Sequence, residues 1–156
     1  MNTFRLSALP HEPFAPLFEL SNSELEKIGA KRVIADECPG FPCRVSLRDA
    51  EVGEELLLLP YQHQRAESPY RASGPIFVRR NANQATPEPG ELPDYVTRRL
   101  ISVRAYDSRD MMIGADVCDG SAVAAEITRQ FADQRVAYIH LHNARPGCFS
   151  CRVNRA

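Results

Sequence analysis

The sequence lacks the long hydrophobic stretches that direct a chain into a membrane or out of the cell. Its longest aliphatic run, Leu56 to Leu59, is far shorter than the roughly 20 residues that span a bilayer. The start, residues 1–10, has no apolar core of the length that a signal peptide needs. Internal repeats and low-complexity tracts are also missing. We therefore expect a cytoplasmic protein with no membrane partner.

A large excess of charge is missing too. Nineteen Lys and Arg residues against twenty Asp and Glu residues give a formal net charge of −1. Residues 1–78 carry eight basic and eleven acidic side chains, and residues 79–156 carry eleven and nine. Because nucleic-acid binding needs a concentrated positive field, neither half predicts a nucleic-acid partner.

Lysine is scarce, since Lys27 and Lys31 are the only two and every other basic residue is arginine. GC-rich codon usage explains this bias as well as a selection for the planar donors that bind carboxylate or phosphate with two hydrogen bonds. The bias alone does not separate the two explanations.

Five cysteines are an odd number in a chain without an export signal, so we expect reduced thiols at Cys38, Cys43, Cys118, Cys148 and Cys151. Cys148 and Cys151 have the spacing of a redox pair or half of a zinc site. A redox pair of this kind begins at a helix N-terminus, however, and Cys148 directly precedes the predicted strand 149–153 that contains Cys151.

Length and element order together predict the fold class. A chain of 156 residues with 44% hydrophobic content fits a single domain, residues 1–156, with one sizeable core. We expect an α+β fold with a mainly antiparallel or mixed sheet and two or three helices packed on it. The proline-rich segment 81–93 is predicted to be a loop or a lid.

Hydrophobic periodicity and turn residues predict the individual elements. The predicted strands are 4–9, 32–35, 44–47, 56–61, 75–78, 100–106, 111–117, 136–142 and 149–153. One predicted helix starts at a capping box formed by Ser21 and Glu24, and the second, 122–131, starts at Asp119 or Ser121. The unbroken apolar run of 56–61 suits a strand in the interior of a sheet.

The segment from Tyr61 to Arg80 has the greatest density of chemically capable residues. We expect a rigid arginine-bearing loop there that binds a small anionic molecule, a carboxylate or a phosphate. The predicted ligand-binding residues are Arg44, Tyr61, Ser68, Tyr70, Arg71, Ser73, Gly74 and Arg79. His63 is the predicted proton carrier if a reaction occurs. An equally simple alternative is that Ser68 to Arg71 anchors a turn.

A second hypothesis is a metal site on the last hairpin. His140 and His142 are alternate residues of a predicted strand, so both side chains point to one face about 7 Å apart. With a turn of two or four residues, Cys151 shares that face and supplies a third ligand. A simple polar surface role for both histidines remains the alternative.

A third hypothesis is a non-catalytic interaction module. In this case the segment 81–93 and a free sheet edge would receive a protein partner. The sequence specifies neither a cofactor nor an oligomeric state.

Three stretches give the chain a resemblance to a known family. They are Pro39 to Ala50 with the following Gly53 and Glu54, Ser68 to Arg79, and Asn143 to Phe149. The sequence resembles the bacterial domain-of-unknown-function family 1203 over nearly its whole length. The resemblance implies short bacterial proteins and assigns no activity to any residue.

Overall fold

In the computed structural model, which describes residues 4–156, the chain forms two five-stranded sheets and three short α-helices, an α+β fold. The first three residues, part of the start considered above for an export signal, lie outside the described residues. The strands are β1 Phe4–Ser7, β2 Lys31–Ile34, β3 Pro42–Cys43, β4 Arg48–Asp49, β5 Glu55–Gln64, β6 Ala72–Arg79, β7 Leu100–Tyr106, β8 Met112–Asp119, β9 Tyr138–Asn143 and β10 Phe149–Arg155. The helices are α1 Asn22–Lys27, α2 Asp94–Thr97 and α3 Val123–Phe131.

The first sheet has the order β1-β10-β9-β7-β8, and every neighbouring pair in it is antiparallel. The two predicted hairpins, β7-β8 and β9-β10, are therefore confirmed. One face of this sheet packs against Val123, Ile127 and Phe131 of α3 in the larger hydrophobic core. The opposite face carries polar and aromatic side chains. Among them are Arg104 and His140, which the register of β7 and β9 aligns.

The second sheet has the order β2-β5-β6-β3-β4. Strand β5 lies between β2 and β6 and buries Leu56 and Leu57 completely, so the expectation of an interior strand is confirmed. Strands β3 and β6 form the one parallel pair in this sheet. The smaller cores on its two faces are separate from the core of the first sheet.

The strand predicted at 44–47 is wrong. Arg44 to Leu47 form a tight turn between β3 and β4, in which the Leu47 N–H donates to the Cys43 carbonyl over 3.0 Å and Leu47 has a φ of 51°. All four side chains are buried, with exposures of 8% or less. Tertiary packing of these four side chains therefore favours the turn over the local strand propensity.

The helix starts were predicted with mixed success. The capping box is confirmed, since Ser21 Oγ accepts from the Glu24 N–H over 3.2 Å and Glu24 Oε1 accepts from the Ser21 N–H over 3.1 Å. The predicted cap of the second helix is wrong, because α3 is entered through the 3-10 turn Gly120–Ala122 without a side-chain cap. A Cβ on Gly120 would lie 2.4 Å from the Thr97 carbonyl oxygen, so packing against α2 determines this helix start.

The segment 81–93 contains no helix or strand. Backbone hydrogen bonds hold it at two points, from Ala85 to the Val45 carbonyl and from Gly90 to the Phe4 carbonyl, both over 2.9 Å. Among residues 4–156, no helix has the length and apolar character that crossing a bilayer requires.

Candidate functional site

Side chains of the first sheet's polar face contact the second sheet directly. Gln64 at the end of β5 donates to the Tyr138 hydroxyl over 3.0 Å. The ring of His63 stacks on Phe149 at a centroid distance of 5.4 Å. Arg44 donates through Nε to the Phe149 carbonyl over 2.7 Å. These contacts place two cavities near the junction of the sheets, one lined by Arg44 and the other by His63.

The loop that was predicted to bind an anion is held mainly by contacts with other parts of the protein. Ser68 Oγ donates to the Asp110 carbonyl over 2.9 Å, and it accepts from the Tyr70 N–H over 3.2 Å. The ring of Tyr70 meets that of Tyr106 edge to face. The side chain of Arg71 is 55% exposed and lies 3.7 Å from a Glu67 oxygen.

The remaining members of the predicted set are spread over the second sheet. Tyr61 packs against Phe14, and the guanidinium of Arg65 lies over its ring. Ser73 and Gly74 line a shallow hollow beside Pro60. The predicted loop residues therefore do not surround one pocket.

Arg79 forms a salt bridge with the carboxylate of Glu54. It donates through Nε to Glu54 Oε1 over 2.9 Å, and its Nη1 donates to Ser46 Oγ over 3.1 Å. Neither Arg71 nor Arg79 lines the cavity that Arg44 borders. The structure therefore does not bring Arg44, Arg71 and Arg79 together, although the sequence suggested a shared hollow.

A different set of arginines does surround one cavity. This arginine cavity, of about 890 Å³, is bordered by Arg44, Arg98, Arg99 and Arg145. Leu58, Pro75 and Phe77 of the second sheet form an apolar wall of the same space.

The four guanidinium groups of the arginine cavity are incompletely neutralised. Asp49, whose side chain is 3% exposed, accepts from Arg99 over 3.0 Å and from Arg98 over 3.5 Å. Among residues 4–156, no carboxylate forms a salt bridge with Arg44 or Arg145. Asp119 is the single acidic residue that lines the cavity itself.

Arg44 is buried to 1% exposure, and within residues 4–156 it donates only to two backbone carbonyls and the Cys148 sulfur. Its Nη1 donates to the Pro42 carbonyl over 2.5 Å, and its Nη2 donates to Cys148 Sγ over 3.0 Å. A buried charge is costly unless an opposite charge accompanies it. Arg44 is therefore an uncompensated cation at the wall of the cavity.

Cys148 and Asn143 lie at the two ends of the β9-β10 turn and line the same cavity. Cys148 is a free, half-buried thiol, and its Sγ also accepts from Asn143 Nδ2 over 3.7 Å. Asn143 is only 4% exposed, and its Oδ1 has no hydrogen-bond partner in the described part of the chain. Since buried polar atoms are nearly always bonded, this oxygen can accept a donor from a bound molecule.

The sequence pattern did not predict ligand-binding roles for the other lining residues Arg98, Arg99, Asn143, Arg145 and Cys148. Asn143, Arg145 and Cys148 lie in a stretch on which the family resemblance rests, so the resemblance could have pointed to these three residues. Arg98 and Arg99 follow the short helix α2 and reach the cavity only through tertiary packing.

The histidines form a second group. His140 and His142 do share one face of β9, as predicted, and each is only 2% exposed, which excludes a polar surface role. The third neighbour is His63 from the other sheet, whose ring lies 5.0 Å from that of His142 and 6.4 Å from that of His140.

The predicted position of Cys151 is wrong. A bulge between Phe149 and Cys151 shifts the register, so Cys151 pairs with Leu141 and enters the core on the opposite face. Burial there raises the pKa of its thiol to about 12. Among the described residues, no three His, Cys, Asp or Glu side chains are placed to hold a metal ion.

Burial keeps the histidine cluster uncharged at neutral pH. Desolvation, assisted by His142, Arg152, His63 and Arg104, lowers the pKa of His140 to about 3. Desolvation also lowers the pKa of His142 to about 4, against the hydrogen bond to Gly147 that raises it.

The pKa of His63 is lowered by burial and by Arg104. His63 and His140 line the second cavity, of about 460 Å³, beside Tyr138 and Arg152. One nitrogen of each of the three rings has no hydrogen-bond partner among the residues that the structure describes. At pH 7 the cluster therefore offers neutral imidazole nitrogens.

The comparisons with known proteins place no activity on this geometry. A family model described as "Protein of unknown function (DUF1203)" matches residues 40–155, which include every residue of the arginine cavity and of the histidine cluster. Neither the comparison with curated proteins nor that with solved structures gave a match.

Proposed function

Because the chain belongs to the DUF1203 family, whose description states no function, we propose a function from its own residues: it binds a small anionic molecule in the arginine cavity. The observation that carries the proposal is Arg44, a guanidinium buried to 1% exposure with no carboxylate partner within the described chain. A bound anion supplies the missing negative charge.

The charges around the cavity support this proposal. Arg98 and Arg99 pair with Asp49, and Arg98 also lies 3.6 Å from the exposed carboxylate of Asp94. These two charges are therefore balanced, and the excess comes from Arg44 and Arg145. Asp119 removes one charge. The walls therefore carry a net positive charge that favours a carboxylate or a phosphate.

The size and the apolar wall suggest the rest of the ligand. A volume of about 890 Å³ lies within the range of about 300 to 1,000 Å³ that small-molecule sites occupy. Leu58 and Phe77 face the same space, so an apolar portion of the ligand would gain contact there. The expected ligand has an anionic group and an apolar body.

Thermal unfolding with small probes tests the proposal. Phenyl phosphate should raise the Tm more than inorganic phosphate does, and uncharged benzyl alcohol should leave it unchanged. At a hundred times its Kd, a ligand stabilises the folded state by about 2.7 kcal/mol, or roughly 5 to 10 °C at this chain length. The Arg145→Gln variant should lose part of the shift, because one of the cations that line the cavity is removed. Since Arg145 is exposed, its replacement leaves the core unchanged.

Two matched variants separate this site from other arginines. Arg109→Gln removes an exposed arginine outside the cavity and should keep the full shift. Arg71→Ala should also keep it, whereas loss of the shift there would assign binding to the Ser68–Gly74 loop. Equal shifts in wild type and Arg145→Gln would reject the arginine cavity as the binding site.

A further inference from the structure

We propose that Cys148 is a nucleophile that attacks carboxylate-bearing disulfides of low molecular weight held in the arginine cavity. This inference rests on the proposed anion binding, because the arginines hold the substrate in place. Cys148 lines the cavity as a free, half-buried thiol, with Arg44 Nη2 3.0 Å from its sulfur. Cysteine reactivity in proteins is greatest where a fixed cation lies beside a partly accessible sulfur.

A second observation at the same place points to a ligand. The Oδ1 atom of Asn143 has no hydrogen-bond partner among residues 4–156, although the residue is 4% exposed and lines the cavity together with Cys148. An unpartnered buried acceptor favours a molecule that brings a donor. A peptide-like disulfide offers amide or ammonium N–H groups for Asn143 and carboxylates for the arginines.

The other cysteines lack this combination. Cys43 and Cys151 are buried in the cores. Cys118 is half-buried, and its pKa is raised by burial and by the nearby carboxylates Glu126, Asp116 and Asp119. Cys38 is exposed and does not line the cavity, so it serves as an internal reference.

Disulfide exchange also fits what the cavity provides. The Cys148 sulfur loses its proton to water and attacks one sulfur of the bound disulfide. A new S–S bond forms as the old one breaks, and the leaving sulfur departs with the electron pair and takes up a proton. One protein thiol and one small disulfide become one mixed disulfide and one small thiol, so no further oxidant is needed.

The experiment compares two disulfides of different charge on the full-length chain. Glutathione disulfide carries carboxylates, and bis(2-hydroxyethyl) disulfide is uncharged. Peptide mapping by mass spectrometry measures the modification rate of each cysteine. With glutathione disulfide, Cys148 should react about tenfold faster than Cys38, the effect of one favourable charge near the reacting sulfur. With the uncharged disulfide, that difference should shrink.

Variants identify the source of the charge preference. Arg145→Gln should slow glutathionylation of Cys148 and leave its reaction with the uncharged disulfide unchanged. Arg109→Gln should change neither rate. Equal rates at Cys148 and Cys38, or an equal charge preference at both, would overturn the proposal.

One further measurement separates this inference from the proposed function. Phenyl phosphate should stabilise the wild-type protein whether or not Cys148 reacts. If phenyl phosphate stabilises it while Cys148 reacts no faster than Cys38, anion binding stands and the nucleophile is refuted. If phenyl phosphate does not stabilise the wild type, the proposed function itself fails.

Discussion

Mild acid should destabilise this protein strongly, because the His140 and His142 rings are uncharged in the folded state. Their pKa values are about 3 and about 4 in the folded chain, against about 6.5 in an unfolded chain. Between pH 6.5 and pH 4 the unfolded state therefore binds more protons than the folded state. Stability must then fall as the pH falls.

The magnitude follows from the same pKa values. At pH 7 both histidines are largely unprotonated in the folded and the unfolded chain, so they lower the free energy of unfolding only slightly. At pH 5 the unfolded chain gains about one proton on each ring, and each histidine then lowers the free energy of unfolding by about 2 kcal/mol. His63 acts in the same direction, because burial and Arg104 also lower its pKa.

Carboxylates make only a small contribution in this pH range. The pKa of Asp133 is lowered to about 2 by Arg135, and those of Glu24, Glu54 and Glu126 are also lowered. Their unfolded values lie near 4, so their stabilisation is lost mainly below pH 5.

Urea unfolding at pH 7, 6 and 5, followed by circular dichroism, measures this effect. Between pH 7 and pH 5, the His140→Gln variant should lose about 2 kcal/mol less of its free energy of unfolding than wild type, since one titrating ring is gone. His11→Gln, which replaces a half-buried histidine outside the cluster, should show the full loss. A free energy of unfolding that is constant from pH 7 to pH 5, or a full loss in His140→Gln, would refute the argument.

Three substitutions test the packing around the arginine cavity and the helix start. Asp49→Asn should lower the free energy of unfolding by about 3 kcal/mol, because it leaves the half-buried Arg99 without its carboxylate; an unchanged urea midpoint would contradict this. Gly120→Ala should cost about 2 kcal/mol or more, since its Cβ would lie 2.4 Å from the Thr97 carbonyl oxygen, and a wild-type Tm would show that α2 gives way freely. Ser21→Ala should cost about 1 kcal/mol in urea unfolding through loss of the capping box, whereas no measurable cost would mean that the cap is dispensable.

Local patterns predicted the elements whose contacts are close in sequence. The hairpins β7-β8 and β9-β10 follow from alternation on both sides of a turn, and the capping box depends on residues three positions apart. The turn at 44–47 was missed because its four buried side chains satisfy tertiary packing that no local period reveals. The division of ten strands into two sheets was not predicted either. It depends on long-range pairings, among them the parallel contact of β3 with β6.

The candidate sites differed from expectation for the same reason. Parity along β10 placed Cys151 beside the histidines, but one extra residue in a bulge reversed its face. His63 was predicted as a proton carrier beside the arginine-bearing loop, and it joins His140 and His142 only because the end of β5 meets the first sheet. The prediction that several arginines bind one ligand stays a proposal. The arginines that accompany Arg44 in it are now Arg98, Arg99 and Arg145.

The most direct test of anion binding is a crystal structure grown in selenate, with anomalous data collected at the selenium edge. We expect a selenium peak inside the arginine cavity, at hydrogen-bond distance from the guanidinium of Arg98 or Arg145. Selenium peaks confined to exposed arginines such as Arg71 and Arg109, with none in the cavity, would contradict the account.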